Sequence, residues 1–236
     1  MKNKGIILMV LFIITAFQLS AEQAKYQPDG KVLNKASNIE SEKDMNNFLA
    51  ALDKKNPCYE IYYGICLHNI SRTDAEIAAK AVDVLEAAYE KTENPIALGY
   101  LGSAISIKAG IASEAGNFIS ATGLLSKGLN KLDEAVNLMP DSDTLRFLRI
   151  FNSFDVTETS PVSRIKFVRE DIAWMEKRME GSPKSEIAYL SLAKGKLDLI
   201  DKDYDAAFAH LEDAIKTAPE SSAAKQADEI LWELEE

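Results

Sequence analysis

The stretch DYDAAFAHLEDAIKTAP, Asp203 to Pro219, decides how this chain reads. Tyr204, Ala207, Phe208, Leu211, Ala214 and Ile215 recur at steps of three and four, so they line one face of a 3.6-residue helix. Pro219 closes the run, because proline lacks an N–H and disfavours helix in the residue before it. The same grammar stands 79 residues earlier, where Leu132-Asp133-Glu134-Ala135-Val136 leads to Pro140 as Leu211-Glu212-Asp213-Ala214-Ile215 leads to Pro219. In both copies a small Ala lies five residues before the proline, which lets a neighbouring helix approach closely.

Outward from this pair, prolines punctuate the chain at Pro57, Pro95, Pro140, Pro183 and Pro219, with spacings of 38, 45, 43 and 36 residues. A period in that range is the mark of a repeat array. Between the prolines lie more helical stripes, at Ile77 to Tyr89, Leu125 to Met139 and Ile165 to Met179. Sustained alternation of apolar and polar residues, the strand signature, is absent from the sequence. The expected fold class is all-α.

This pattern resembles the tetratricopeptide repeat family. Gly195, the turn at Asp203-Tyr204-Asp205, the pair Ala206-Ala207, then Ala214 and Pro219 sit where that family places its small residue, turn, second-helix alanines and closing proline. Gly102, Gly128, Ala135 and Pro140 match more weakly, with an insertion between the helices. The resemblance implies a helical-hairpin array, an α-solenoid, of about four hairpins over roughly 58–94, 96–139, 141–182 and 184–218. A helix at 42–54 would precede them and a C-terminal capping helix at 221–235 would close the stack. Leu101-Gly102, Leu132 to Pro140, and Arg146-Phe147-Leu148-Arg149 with Asn152 also look like a group of small exported bacterial helical proteins. That likeness implies fold and adds no chemistry.

The N-terminus reads as an address. Lys2 and Lys4 precede Gly5 to Phe17, thirteen residues without a charge. A span of the bilayer core takes roughly 20 apolar residues, so this run fits the core of a secretory signal better than an anchor. Ser20 and Ala21 offer a cleavage site. The expected organisation is a signal peptide over 1–21, a flexible lead-in over 22–40 carrying Pro28 and Gly30, and one helical domain over 41–236. No other stretch reads as long enough for a membrane span, so the mature chain is expected to be soluble and periplasmic.

The chain of 236 residues has 27 Lys plus Arg against 37 Asp plus Glu, a net charge of −10. That balance argues against a general nucleic-acid binder, which needs a basic footprint. Two Cys and two His leave little for structural zinc or a disulfide framework. Cys58 and Cys66 fall in one expected helix, where eight residues of rise separate them by about 12 Å, beyond disulfide reach, so two buried thiols are expected. His68 and His210 lack the partners that nucleophilic catalysis requires, so the expectation is no enzyme, no catalytic residues and no cofactor. Asp201, Asp203, Asp205 and Glu212 share the offsets of a calcium loop, but Ala206 replaces its essential glycine, so they read as an interhelix turn and no metal is expected.

The sharpest departure is a basic segment inside this acidic chain. Arg146, Arg149, Asn152, Arg164, Lys166 and Arg169 form a candidate binding patch. Arginines suit planar carboxylates or phosphates; the competing reading pairs them with neighbours such as Glu134, Asp141 or Glu170. Six glycines between Gly99 and Gly128 suggest close helix packing, or a mobile loop at Gly110 to Asn117 over a groove. Phe147, Phe151 and Phe154 read as core. From Asp198 to Glu236 the chain is strongly acidic, either a solvated face or a docking surface for a basic partner. The leading expectation is an exported, non-enzymatic interaction module that holds an unidentified exported protein or peptide. The second is a periplasmic protein binding a small, acidic ligand or serving a transporter, with its pocket near Gly110 to Asn117 and the Arg146/Arg149 face.

Overall fold

The computed structural model describes residues 26–235. The expected signal peptide and the first four residues of the expected lead-in lie outside them. All regular structure among the described residues is helical, in eleven helices. The chain divides into two compact units, with the boundary between Ala135 and Val136.

The first unit contains α1 (Gly30–Ser37), α2 (Glu42–Ala50), α3 (Tyr59–Ile70), α4 (Ala75–Thr92), α5 (Pro95–Glu114) and the greater part of α6 (Phe118–Leu138). The second contains α7 (Asp143–Thr159), α8 (Ile165–Glu176), α9 (Lys184–Asp201), α10 (Tyr204–Thr217) and α11 (Ser222–Glu235). The prolines stand where their chemistry puts them. Pro95 opens α5, Pro183 precedes α9, and Pro57, Pro140, Pro161 and Pro219 lie in connections. Side-chain oxygens finish the helix starts. Asp74 accepts from the N–H groups of Glu76 and Ile77, and Ser142 from Leu145.

The lead-in expected to be flexible is a correction. Residues 30–37 form α1, capped by Asp29, with Leu33 and Ala36 buried. Its hold comes from distant hydrogen bonds. Asp29 N–H donates to Tyr62 Oη at 2.7 Å, Ser37 Oγ meets Tyr100 Oη at 2.9 Å, and Asn69 Nδ2 donates to the Ala36 carbonyl at 3.1 Å.

Consecutive helices pack within each unit: α3 on α4, α4 on α5, α7 on α8, α9 on α10 and α10 on α11. α5 and α6 approach each other closely at two glycines. A Cβ added at Gly102 would lie 2.6 Å from the Gly128 carbonyl oxygen, and one at Gly128 would lie 2.6 Å from the Gly102 carbonyl oxygen. The backbones therefore touch, and only glycine fits at either position. A Cβ added at Gly195 would meet the Leu211 side chain at 2.8 Å and the Ala207 carbonyl oxygen at 3.3 Å, so α9 and α10 also meet closely there. The loop expected over Gly110 to Asn117 shrinks to residues 115–117, because α5 continues through Gly110. Gly116 makes the turn with φ of 79°.

By length and composition α5 could cross a membrane, which corrects the expectation that no stretch beyond the N-terminal run is long enough. In this fold 67% of its apolar window is buried, with Leu98, Leu101 and Ile105 closed off from solvent. In the second unit Ile150, Phe154, Val168, Met175 and Ala193 form the centre, and Phe147 and Phe151 pack against it. A second cluster of Leu192, Leu211, Ala214, Ala223 and Ala227 joins α9, α10 and α11.

Candidate functional site

The basic segment spans α7, the following connection and the start of α8. Arg146 and Arg149 stand one turn apart on α7 and both turn to Asp171 on α8, which is fully buried. Arg149 grips it with two bonds, Nε to Oδ2 and Nη2 to Oδ1, each 2.7 Å. Arg146 Nη1 reaches Oδ1 at 2.7 Å, while its Nε and Nη2 donate to the Pro140 carbonyl. Two cations share one buried anion, and aromatic faces take part of the excess charge. The Arg146 guanidinium lies 4.0 Å from the Trp174 ring centre, with Arg178 at 4.4 Å; Arg164 lies 3.8 Å from Phe167.

The candidate binding patch is therefore corrected. Arg149, Asn152 and Arg164 are buried and Arg146 nearly so. The carboxylate that engages the first pair is Asp171, which is none of the neighbours named from sequence. Lys166 and Arg169 remain exposed, Lys166 at 3.8 Å from Glu170 and Arg169 at 2.5 Å from Asp201. That last bond raises the Arg169 pKa and lowers that of Asp201. The six residues do not present one open surface. The feature that pointed to a small acidic ligand is accounted for by contacts inside the second unit.

The other expected chemical groups also have internal partners. Asp203 caps α10, so Asp205 and Glu212 lie on a helix and not in a calcium loop, and Glu212 pairs with Lys216. Among the described residues no three His, Cys, Asp or Glu side chains gather as a metal site. His210 Nδ1 meets Asp198 Oδ2 at 2.6 Å between α10 and α9. Cys58 and Cys66 are free and buried; burial raises both thiol pKa values, that of Cys66 to about 12.

One arrangement was not foreseen from sequence. His68 Nε2 lies 2.8 Å from Ser103 Oγ, and its Nδ1 lies 2.9 Å from Asn69 Oδ1. Tyr100 packs edge-on against the imidazole at 5.2 Å. The order hydroxyl, imidazole, amide resembles that of a nucleophile, a base and an orienting group. Ser103 is buried in the middle of α5, where the following amides serve the helix and offer no N–H pair to a developing oxyanion. Burial lowers the His68 pKa to about 4 and keeps the ring neutral. The cluster links α3 to α5. No sequence signal could have found it, since 35 residues separate its two main members.

What remains open is apolar surface. Phe118 and Ile119, at the start of α6, are 67% and 91% exposed. Trp232 on α11 is 62% exposed and Leu234 38%. Asp228, Glu229, Leu231, Trp232 and Glu233 line an open depression. Comparison with protein-family models, curated proteins and solved structures finds no match.

Proposed function

We propose that the protein is an exported, non-enzymatic interaction module, a tetratricopeptide-like array of about four helical hairpins closed by α11, which holds another exported protein or peptide. Two helices in each of the ranges 58–94, 96–139, 141–182 and 184–218 support the array. The glycine contact between α5 and α6 and the Gly195 contact between α9 and α10 supply the close packing that such hairpins use. Export rests on the N-terminal sequence, with Lys2 and Lys4 ahead of an uncharged run.

The observation that carries the reading is the exposure of Ile119 and Trp232 on helices whose other faces are packed. Apolar surface rimmed by polar groups marks interaction sites, and Trp232 opens with Leu231 onto a depression edged by Asp228, Glu229 and Glu233. The test is affinity capture of exported proteins on the tagged full-length chain, with Ile119→Asp and Trp232→Asp variants as matched baits. The expected result is a discrete partner recovered by the wild type and reduced by about tenfold or more with one of the variants. Equal recovery by all baits, or a small molecule that raises the melting temperature while no partner is retained, would overturn the reading.

A further inference from the structure

The chain has two tryptophans, and the structure treats them in contrasting ways. Trp174 is covered by the guanidinium groups of Arg146 and Arg178, at 4.0 and 4.4 Å. Each of those cations also faces a carboxylate, Asp171 at 2.7 Å and Asp141 at 3.8 Å. Trp232 has the carboxylates without the cation. Asp228 and Glu229 stand four and three residues before it, on the same side of α11, and Glu233 follows it. None of these three acids forms an ion pair with another described residue, and no described cation lies over the Trp232 ring. Lys225, the cation of this helix, is seven residues away, roughly 10 Å along the axis.

Resting on the interaction-module reading, we propose that the face of α11 around Trp232 docks a cationic segment of another protein, one that lays an Arg or Lys side chain over the indole between Asp228 and Glu229 and an apolar side chain into the depression beside Leu231. The charges select this occupant. A second copy placed face to face would set the same three acids against one another, and an anionic lipid surface would be repelled. A cation is drawn to the negative face of an indole, more strongly when the contact is desolvated, and unpaired carboxylates around the ring add steering and register.

The probe is a labelled twelve-residue peptide alternating Arg and Leu, titrated against the full-length protein by anisotropy and by tryptophan emission. A peptide alternating Glu and Leu is the control. The Arg/Leu peptide is expected to bind and shift the emission, and to bind more weakly as salt rises. Trp232→Ala is expected to weaken it by about tenfold, Trp232→Phe by less, and the triple variant D228N/E229Q/E233Q by about tenfold with a flatter salt dependence. The Glu/Leu peptide is expected not to bind. All the substituted side chains are exposed, and circular dichroism of each variant checks its fold. Binding that ignores Trp232 or the three acids, equal binding of both peptides, no binding of the Arg/Leu peptide, or a concentration-dependent dimer abolished by Trp232→Ala would overturn the proposal. Partner capture that depends on Ile119 together with any of those results would leave the module and remove this site; capture that fails as well would remove both.

Discussion

At the scale of the residue, Asp171 is the clearest case of a charge that the fold cannot spare. It is fully buried and receives three bonds from Arg146 and Arg149. Asp171→Asn keeps the shape and removes the anion, leaving two guanidinium groups uncompensated. The expected loss is about 3–5 kcal/mol of stability, measured by urea denaturation, whereas Lys166→Ala, with its ammonium in solvent, should leave the midpoint in place. The thiols make a second residue-scale prediction. An aromatic disulfide reagent at pH 8 should label neither Cys58 nor Cys66 in the folded protein and both after unfolding, because burial holds the thiols protonated and out of reach. The charge segregation was legible in the sequence, with arginines one turn apart on a helix. Their engagement was not, because Asp171 lies 22 residues beyond Arg149 and no local spacing brings the two together.

At the scale of the element, helix positions followed from the stripes and the prolines, since both act over a few residues. The exception is α1, whose eight residues offer only Leu33 and Ala36 as a buried face. Its stability comes from Tyr62, Asn69 and Tyr100 on α3 and α5, partners that a local pattern does not contain. The glycines separate two roles that composition merged. Gly102→Ala would drive a methyl group into the backbone of α6 and should cost about 1–3 kcal/mol. Gly123→Ala on the same helix hairpin meets nothing within 4 Å and should stabilise by about 0.5–1 kcal/mol, both changes read from thermal or urea unfolding. The contact between α3 and α5 also carries a pH signature. His68 binds its proton less readily when folded, near pH 4 against 6.5 when unfolded, so the unfolded chain holds more protons between those values. Its contribution is complete above pH 6.5 and is lost as pH falls through 6.5 toward 4. His68→Gln should lose this part of the pH dependence, seen as a shrinking gap between the urea midpoints of wild type and variant across that window.

At the scale of the whole molecule, Asp171, His68, His210 and Asp203 hold helices in place within their units, while Trp232 and the acids beside it face water. The acidic close from Asp198 to Glu236 was visible in the sequence; which of its acids are engaged was not. Asp198, Asp201 and Glu212 pair within the second unit, while Asp228, Glu229 and Glu233 surround Trp232 on α11. Sequence pattern tells which residues are apolar, but exposure depends on whether another element comes to cover them, and the described residues leave Trp232 62% exposed. The most direct test of the interaction-module reading is the elution volume of the native protein in a gentle extract of its own cells, set against the purified protein alone and against an Ile119→Asp/Trp232→Asp double variant in the same extract. The account predicts that the wild type elutes in the extract as a larger species than when purified, and that the double variant returns to the volume of the purified chain. One common elution volume for all three samples would contradict it.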